Sequence, residues 1–335
     1  MRRSSLLIAR LACAVVLVVA MAGGAQSGVS RAAGPHALTL WLDWYPNTDH
    51  AGIYVAMATG YYAQEGLKVA ARVPSGAADA LTLVAHGSGD MAISYEPTVL
   101  LARAQGIPVQ ATGAIVQRPL NAILTLKSSG ITRPRQLEGH TVGLAGDPSD
   151  YTDLQAVVQH DGGNYGKVKK VVVNYSLLQG LLTGKVDAII GAYWTWEALQ
   201  AQQQGHPVNV MRLDREGVPS YDELVFATGS RQLASEPGVL RAFERATYRG
   251  YAYAAAHPEA ATSIMLKVPG VLSTSRPLIR RSLGLLGPLF ADARGRYGTM
   301  SRARWQAYAD WMTATHLLPK HLDAGQAITT SLLPR

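Results

Sequence analysis

Leu38-Thr39-Leu40-Trp41-Leu42-Asp43-Trp44-Tyr45-Pro46-Asn47-Thr48-Asp49-His50 opens the globular part of the chain, and its reading decides the fold. Residues 38–42 read as an apolar strand and residues 51–62 as a helix ending near Gly60. The aromatic and polar residues between them fall at the carboxyl end of a strand, where open α/β sheets hold their ligands. The alternation continues outward, with a strand at 67–73, a helix at 77–86 stopped by Gly87 and Gly89, a strand at 91–94 and a helix begun by Pro97. This pattern predicts an α/β fold with a parallel, doubly wound sheet.

A second block repeats the pattern, with strands at 141–144, 168–173 and 188–190 and helices at 151–160 and 177–182. Beyond residue 228 the chain turns helical, with apolar residues at helical spacing over 239–256, 259–267, 276–286 and 302–315. Those helices need a surface to pack on, so the economical arrangement returns them to the first block. The expectation is a discontinuous first lobe, 34–125 and 229–335, and a continuous second lobe, 126–228, with crossovers near 124–127 and 225–229.

Of the 335 residues, 48% are hydrophobic and 16% charged, with 33 Gly and 17 Pro, which suits a turn-rich globular protein and argues against disorder. Arg2 and Arg3, an apolar run over 11–22 and the small-residue pattern Ala20-Met21-Ala22 read as a cleaved export signal, 1–33. Cleavage fits at more than one point between about residues 23 and 34, and the general secretory route fits better than twin-arginine export. The sole cysteine, Cys13, lies in that segment, so the mature chain is expected to have no disulfide, thiolate nucleophile or cysteine-ligated metal. The net charge of +8 owes part to the signal, and the later arginines, over 231–249 and 276–304, read as solvated helix faces with no nucleic-acid partner.

Three clusters sit at strand ends: Trp44, Asn47 and His50; Tyr95 and Glu96; and Tyr193, Trp196 and Glu197. Taken singly, each has a structural alternative, with Trp44 as packing, His50 as a cap, and Glu96 or Glu197 as a first-turn carboxylate. Taken together, rings beside carboxylates suit an aminopyrimidine, whose faces stack and whose edge donates hydrogen bonds. Gly146 and Ser149 belong to a turn opening a helix, a setting that often binds anions, yet Asp147 and Asp150 would repel a phosphate. That turn reads as a capped helix start touching a neutral ligand. No catalytic serine elbow or zinc-protease motif is present, and neither a metal nor a cofactor is expected.

The run from Leu42 to Ala56 with Gly60-Tyr61-Tyr62, Glu65-Gly66-Leu67, Asp90-Met91-Ala92-Ile93, Gly184-Lys185-Val186-Asp187-Ala188 and Val218-Pro219-Ser220-Tyr221-Asp222-Glu223-Leu224 resembles the thiamine-pyrimidine-precursor binding proteins of the SsuA/THI5-like (NMT1-like) family. The resemblance implies a two-lobed periplasmic-binding fold with a hinge, and Trp44, Asn47, His50, Tyr95, Tyr193, Trp196 and Glu197 along the cleft. It implies an exported, monomeric solute-binding protein that serves an ABC permease and ATPase and takes a formylated aminopyrimidine, hydroxymethylpyrimidine, thiamine, riboflavin or a related ring. The family also contains thiamine-pyrimidine synthases, which consume the histidine matched by His50 and carry a cysteine-rich iron-binding run. That run is absent here, and the synthases' phosphate loop is replaced by Gly146-Asp147-Pro148-Ser149-Asp150.

Overall fold

The computed structural model describes residues 34–76, 79–271 and 274–333. The expected export signal, with Cys13, lies outside them. Among the described residues, ten strands form two five-stranded sheets: β1 (His36–Trp41), β2 (Leu67–Arg72), β3 (Met91–Ser94), β4 (Val109–Val116), β5 (Asn121–Leu126), β6 (Thr141–Leu144), β7 (Lys169–Val172), β8 (Ala188–Tyr193), β9 (Val208–Arg212) and β10 (Leu224–Gly229). The first sheet has the order β2-β1-β3-β10-β4 and the second β7-β6-β8-β5-β9. Helices α1 (Ala51–Ala58), α2 (Tyr61–Gln64), α3 (Asp79–Ala85) and α4 (Glu96–Ala104) accompany the first sheet, and α5 (Pro148–His160), α6 (Leu177–Leu182) and α7 (Glu197–Gln203) the second. The remaining helices are α8 (Ser230–Ser235), α9 (Pro237–Ala256), α10 (Pro258–Met265), α11 (Arg276–Leu286) and α12 (Arg302–Ala314).

The sheets are mixed, where the strand-and-helix alternation alone predicts parallel ones. β1 pairs in parallel with β2 and β3, while β10 runs antiparallel to β3 and β4; in the second sheet β6 is parallel to β7 and β8, while β5 is antiparallel to β8 and β9. The reversed strands are those that follow a passage between sheets. A parallel strand delivers the chain to the sheet's carboxyl end, so a chain that crosses there must enter the next sheet running away from it. The passages fall at residues 117–120 and 213–223, so β5 belongs to the second sheet and β10 to the first. The sequence alone puts the crossovers near 124–127 and 225–229, inside those strands. Both strands are too buried on their two faces to betray by alternation which sheet they join.

Of the late helices, α9 packs on α1 and α2, α10 on α1, α9 and α11, and α12 beside α4, while α11 also reaches α7. The helix read over 51–62 is broken by Gly60, whose φ of +75° suits only a residue without a Cβ penalty, so α1 and α2 are separate. The contact between α1 and α9 is closer still. A Cβ on Gly250 would lie 2.0 Å from the Gly52 carbonyl oxygen, and one on Gly52 would lie 2.2 Å from the Tyr251 ring. Tyr251 in turn donates its hydroxyl to the Asp49 carbonyl at 2.8 Å, so α9 sets the position of the turn that ends the opening stretch. Gly250→Ala is therefore expected to destabilise the protein by about 1–3 kcal/mol through overpacking, read as a lowered midpoint in urea unfolding at unchanged slope.

Candidate functional site

The carboxyl ends of the two sheets meet around a pocket with about 540 Å³ of space free of protein atoms. Asp43 and Trp44 follow β1, Tyr95 follows β3, and Asn121 begins β5. Ala145, Asp147, Ser149 and Asp150 follow β6, Gly191 and Tyr193 lie on β8, Glu197 opens α7, and Tyr221 and Glu223 precede β10. Bonds join elements of the two sides. Thr98 on α4 donates to Asp147 at 2.5 Å, and the Tyr175 hydroxyl donates to the Pro74 carbonyl at 3.0 Å. Tyr175 also packs edge-on against Trp44, ring centres 4.8 Å apart.

Five carboxylates line this space, namely Asp43, Asp147, Asp150, Glu197 and Glu223, and among the described residues no Lys, Arg or His lines it with them. Neutral donors hold each one. Glu197 accepts from the Tyr193 amide at 2.8 Å, and Glu223 from the Leu120 and Asn121 amides at 2.6 and 3.0 Å. Asp150 accepts from the Gly146 amide at 2.9 Å, and Asp147 from the Ser149 amide at 2.8 Å as well as from Thr98. Burial pushes the acids up: Glu197 and Glu223 each to about 7, Asp147 above its ordinary range, and Asp150 and the adjoining Asp153 well above it. The Tyr193 hydroxyl is buried here without a hydrogen-bond partner.

The opening stretch is folded by reciprocal capping. Asn47 accepts from the Asp49 amide at 2.7 Å, and the Asn47 amide donates to His50 Nδ1 at 3.3 Å. With Nδ1 accepting, the ring hydrogen lies on Nε2, which donates to Asp43 Oδ1 at 2.8 Å, while the Tyr95 hydroxyl donates to Asp43 Oδ2 at 3.0 Å. His50 is fully buried behind Asp43, so Asp43 forms the wall where the sequence suggests His50.

Trp44, Asn47, Tyr95, Ser149, Tyr193 and Glu197 are brought together at the pocket, and His50, Glu96, Gly146 and Trp196 are not. Glu96 turns to the neighbouring passage, accepting from the Asp222 amide at 2.7 Å, and Pro97 takes its place at the wall. Trp196 is buried among Leu199, Leu278 and other core residues where α7 begins. Gly146 has a φ of +100° and gives its amide to Asp150, so it shapes the turn. The sequence reading misses Asp43, Asn121, Asp147, Asp150, Tyr221 and Glu223 as wall residues. The signal for Tyr221 and Glu223 was their place just before a strand, next to a passage between sheets.

A model of the NMT1/THI5-like family matches residues 47–261. A formylaminopyrimidine-binding protein from Halalkalibacterium halodurans is 32% identical over 86% of this chain and 88% of its own length. The chain belongs to the NMT1/THI5-like family. Within that family it is also 26% identical to a 4-amino-5-hydroxymethyl-2-methylpyrimidine phosphate synthase of Legionella pneumophila, over 89% of this chain and 92% of that one. Its fold is that of the periplasmic binding proteins, as in the alkanesulfonate-binding protein SsuA from Xanthomonas axonopodis, with a TM-score of 0.69 and 16% identity over 89% of this chain and 99% of that one.

The upward shift of the buried acids predicts how stability depends on pH. An acid whose folded value is raised from 4.5 to about 7 contributes stability that is complete below its unfolded value and is lost as pH rises through the folded one. Glu197 and Glu223 thus each cost the ligand-free protein on the order of 1–3 kcal/mol between about pH 4.5 and 7. The melting temperature of ligand-free protein is expected to fall between about pH 5 and pH 8, and more shallowly in Glu197→Gln, as differential scanning calorimetry would read.

Proposed function

We propose that the protein captures an aminopyrimidine of the thiamine-precursor type outside the cytoplasm and delivers it to an ABC permease and its ATPase, without chemical turnover. The observation that carries this reading is the pocket's charge: five carboxylates, aromatic rings and, among the described residues, no basic side chain. A flat ligand rich in hydrogen-bond donors meets those acids favourably, and a sulfonate or phosphate is repelled by them. Trp44 supplies a ring face, Glu197 and Asp43 accept from the ligand's amino edge, and Asn47, Tyr95, Ser149 and the Tyr193 hydroxyl complete the polar frame. The formylaminopyrimidine-binding relative supports the substrate class. The 1–33 segment supports export, and no helix among the described residues is long and apolar enough to cross a membrane.

Two features speak against synthase chemistry of the kind named for the Legionella relative. Both ring nitrogens of His50 are engaged and the ring is fully buried, so it cannot reach the pocket as a reactant. The cysteine-rich run that the resemblance attributes to the synthases is also absent from the sequence.

Calorimetry against hydroxymethylpyrimidine, its phosphate, riboflavin and an alkanesulfonate tests the reading. The unphosphorylated pyrimidine is expected to bind at micromolar or better affinity, and Glu197→Gln to weaken it by roughly ten- to a hundredfold, the worth of one charge-assisted hydrogen bond. Sulfonate binding with no pyrimidine signal would overturn the assignment. Incubation with pyridoxal phosphate, iron and oxygen is expected to leave the intact mass unchanged. A mass loss in the His50 peptide would restore the synthase reading.

A further inference from the structure

Glu223 differs from the other acids of the pocket in what it holds. It ends one passage between the sheets, and its Oε2 accepts from the amides of Leu120 and Asn121, 103 and 102 residues away, which end the other passage. One carboxylate therefore joins both connecting segments and faces the pocket. It is 2% exposed, and the titratable groups around it are Asp49, Asp153, Tyr95, Tyr193, Tyr221 and Tyr308, with no cation among them. The Asp49 carboxylate and the Tyr193 and Tyr308 hydroxyls are themselves buried without hydrogen-bond partners. By contrast Asp222, next in the chain, is served by Trp305 at 2.8 Å and by Arg304 at 3.4 Å, so the cationic support of this passage goes to its neighbour.

We propose that Glu223 is a specificity-determining residue that lets the sheets close at neutral pH only over a ligand that brings a positive or hydrogen-bond-donating edge to it. The proposal rests on the binding role above and adds a reason for selectivity by charge. Closing the pocket takes the Glu223 carboxylate out of water and leaves it neutral donors alone, two backbone amides and the Tyr221 hydroxyl. That disfavours the ionised form, in line with the upward shift that burial gives this acid. A protonated or amino-bearing ring restores the missing donor, and a sulfonate or phosphate makes the deficit worse. Ligand-free protein is then held open by the same group that a correct ligand satisfies.

The test reads closure without any ligand, so it does not depend on the pyrimidine assignment. Small-angle scattering of ligand-free wild type, Glu223→Gln and Glu223→Asp at about pH 7.5 gives the radius of gyration, and circular dichroism checks folding. The amide variant, which cannot ionise, is expected to raise the closed-to-open ratio by on the order of ten- to a hundredfold, and the shorter acid to stay as open as wild type. Wild type is expected to compact as pH falls to about 5.5, because protonation removes the buried charge. Hydroxymethylpyrimidine should compact wild type strongly and Glu223→Gln little further. The proposal is overturned if folded Glu223→Gln is as open as wild type, if Glu223→Asp is as closed as the amide, or if wild type is closed at neutral pH. Should the amide variant not fold, Glu223→Asp and the wild-type pH series decide, and a radius independent of pH rejects the idea.

Discussion

The arrangement depends on a shortage of positive charge among the carboxylates where the two sheets meet. Every acid on the pocket wall is held by a backbone amide, a hydroxyl or a neutral imidazole. Such donors fix the side chains in space without neutralising them, and the low polarisability of a closed pocket makes the residual demand for a cation or donor large. A structure that needed only stability would gain from replacing these acids with apolar residues. Their presence at a converging set of strand ends makes sense as a demand placed on the ligand.

That demand can be met only if segments far apart in sequence arrive together, and the topology does this through its two reversed strands. β5 and β10 each start at the pocket end because each follows a passage between the sheets, so Asn121 and Glu223 stand at the wall by virtue of connectivity. The glycine contact between α1 and α9 performs the matching task for the opening stretch. It allows α9 to approach closely enough for Tyr251 to hold the Asp49 carbonyl, and thereby orients the turn from which Asn47 and His50 fix Asp43.

Much of this was legible in the sequence. β3, β6, α6 and α11 fall on the residues that alternation and spacing indicate, and the three aromatic and acidic clusters do follow strands. What was not legible depends on side-chain direction and chain crossing. Trp44 and Trp196 are equally good stacking residues on paper, yet one borders the pocket and the other packs in a core. Asp43 and His50 are separated by a turn whose reciprocal caps decide which of the two faces outward, and nothing in composition ranks them. β4 and β9 escaped notice because β4 is broken by Gly113 among small residues and β9 mixes Asn209 and Arg212 with its apolar positions. With β4 unrecognised, the passage before β5 could not be drawn in the right place.

The turn before α5 shows how one fold serves ligands of opposite charge. A helix start at a sheet's carboxyl end presents free amides and the positive end of the helix dipole, which in many α/β proteins bind an anion. Here Asp147 caps α5 by accepting from Ser149, and Asp150 folds back to accept from Gly146, so the chain's own carboxylates occupy the donors an external anion would use. The helix field that elsewhere attracts a phosphate is spent on holding two acids in place, and their remaining negative potential points into the pocket. The same backbone geometry, with small or basic residues at 147 and 150, would leave those amides open. The charge class of the ligand is therefore written in a few residues at strand ends and helix starts, on a scaffold that an alkanesulfonate-binding protein shares at 16% identity.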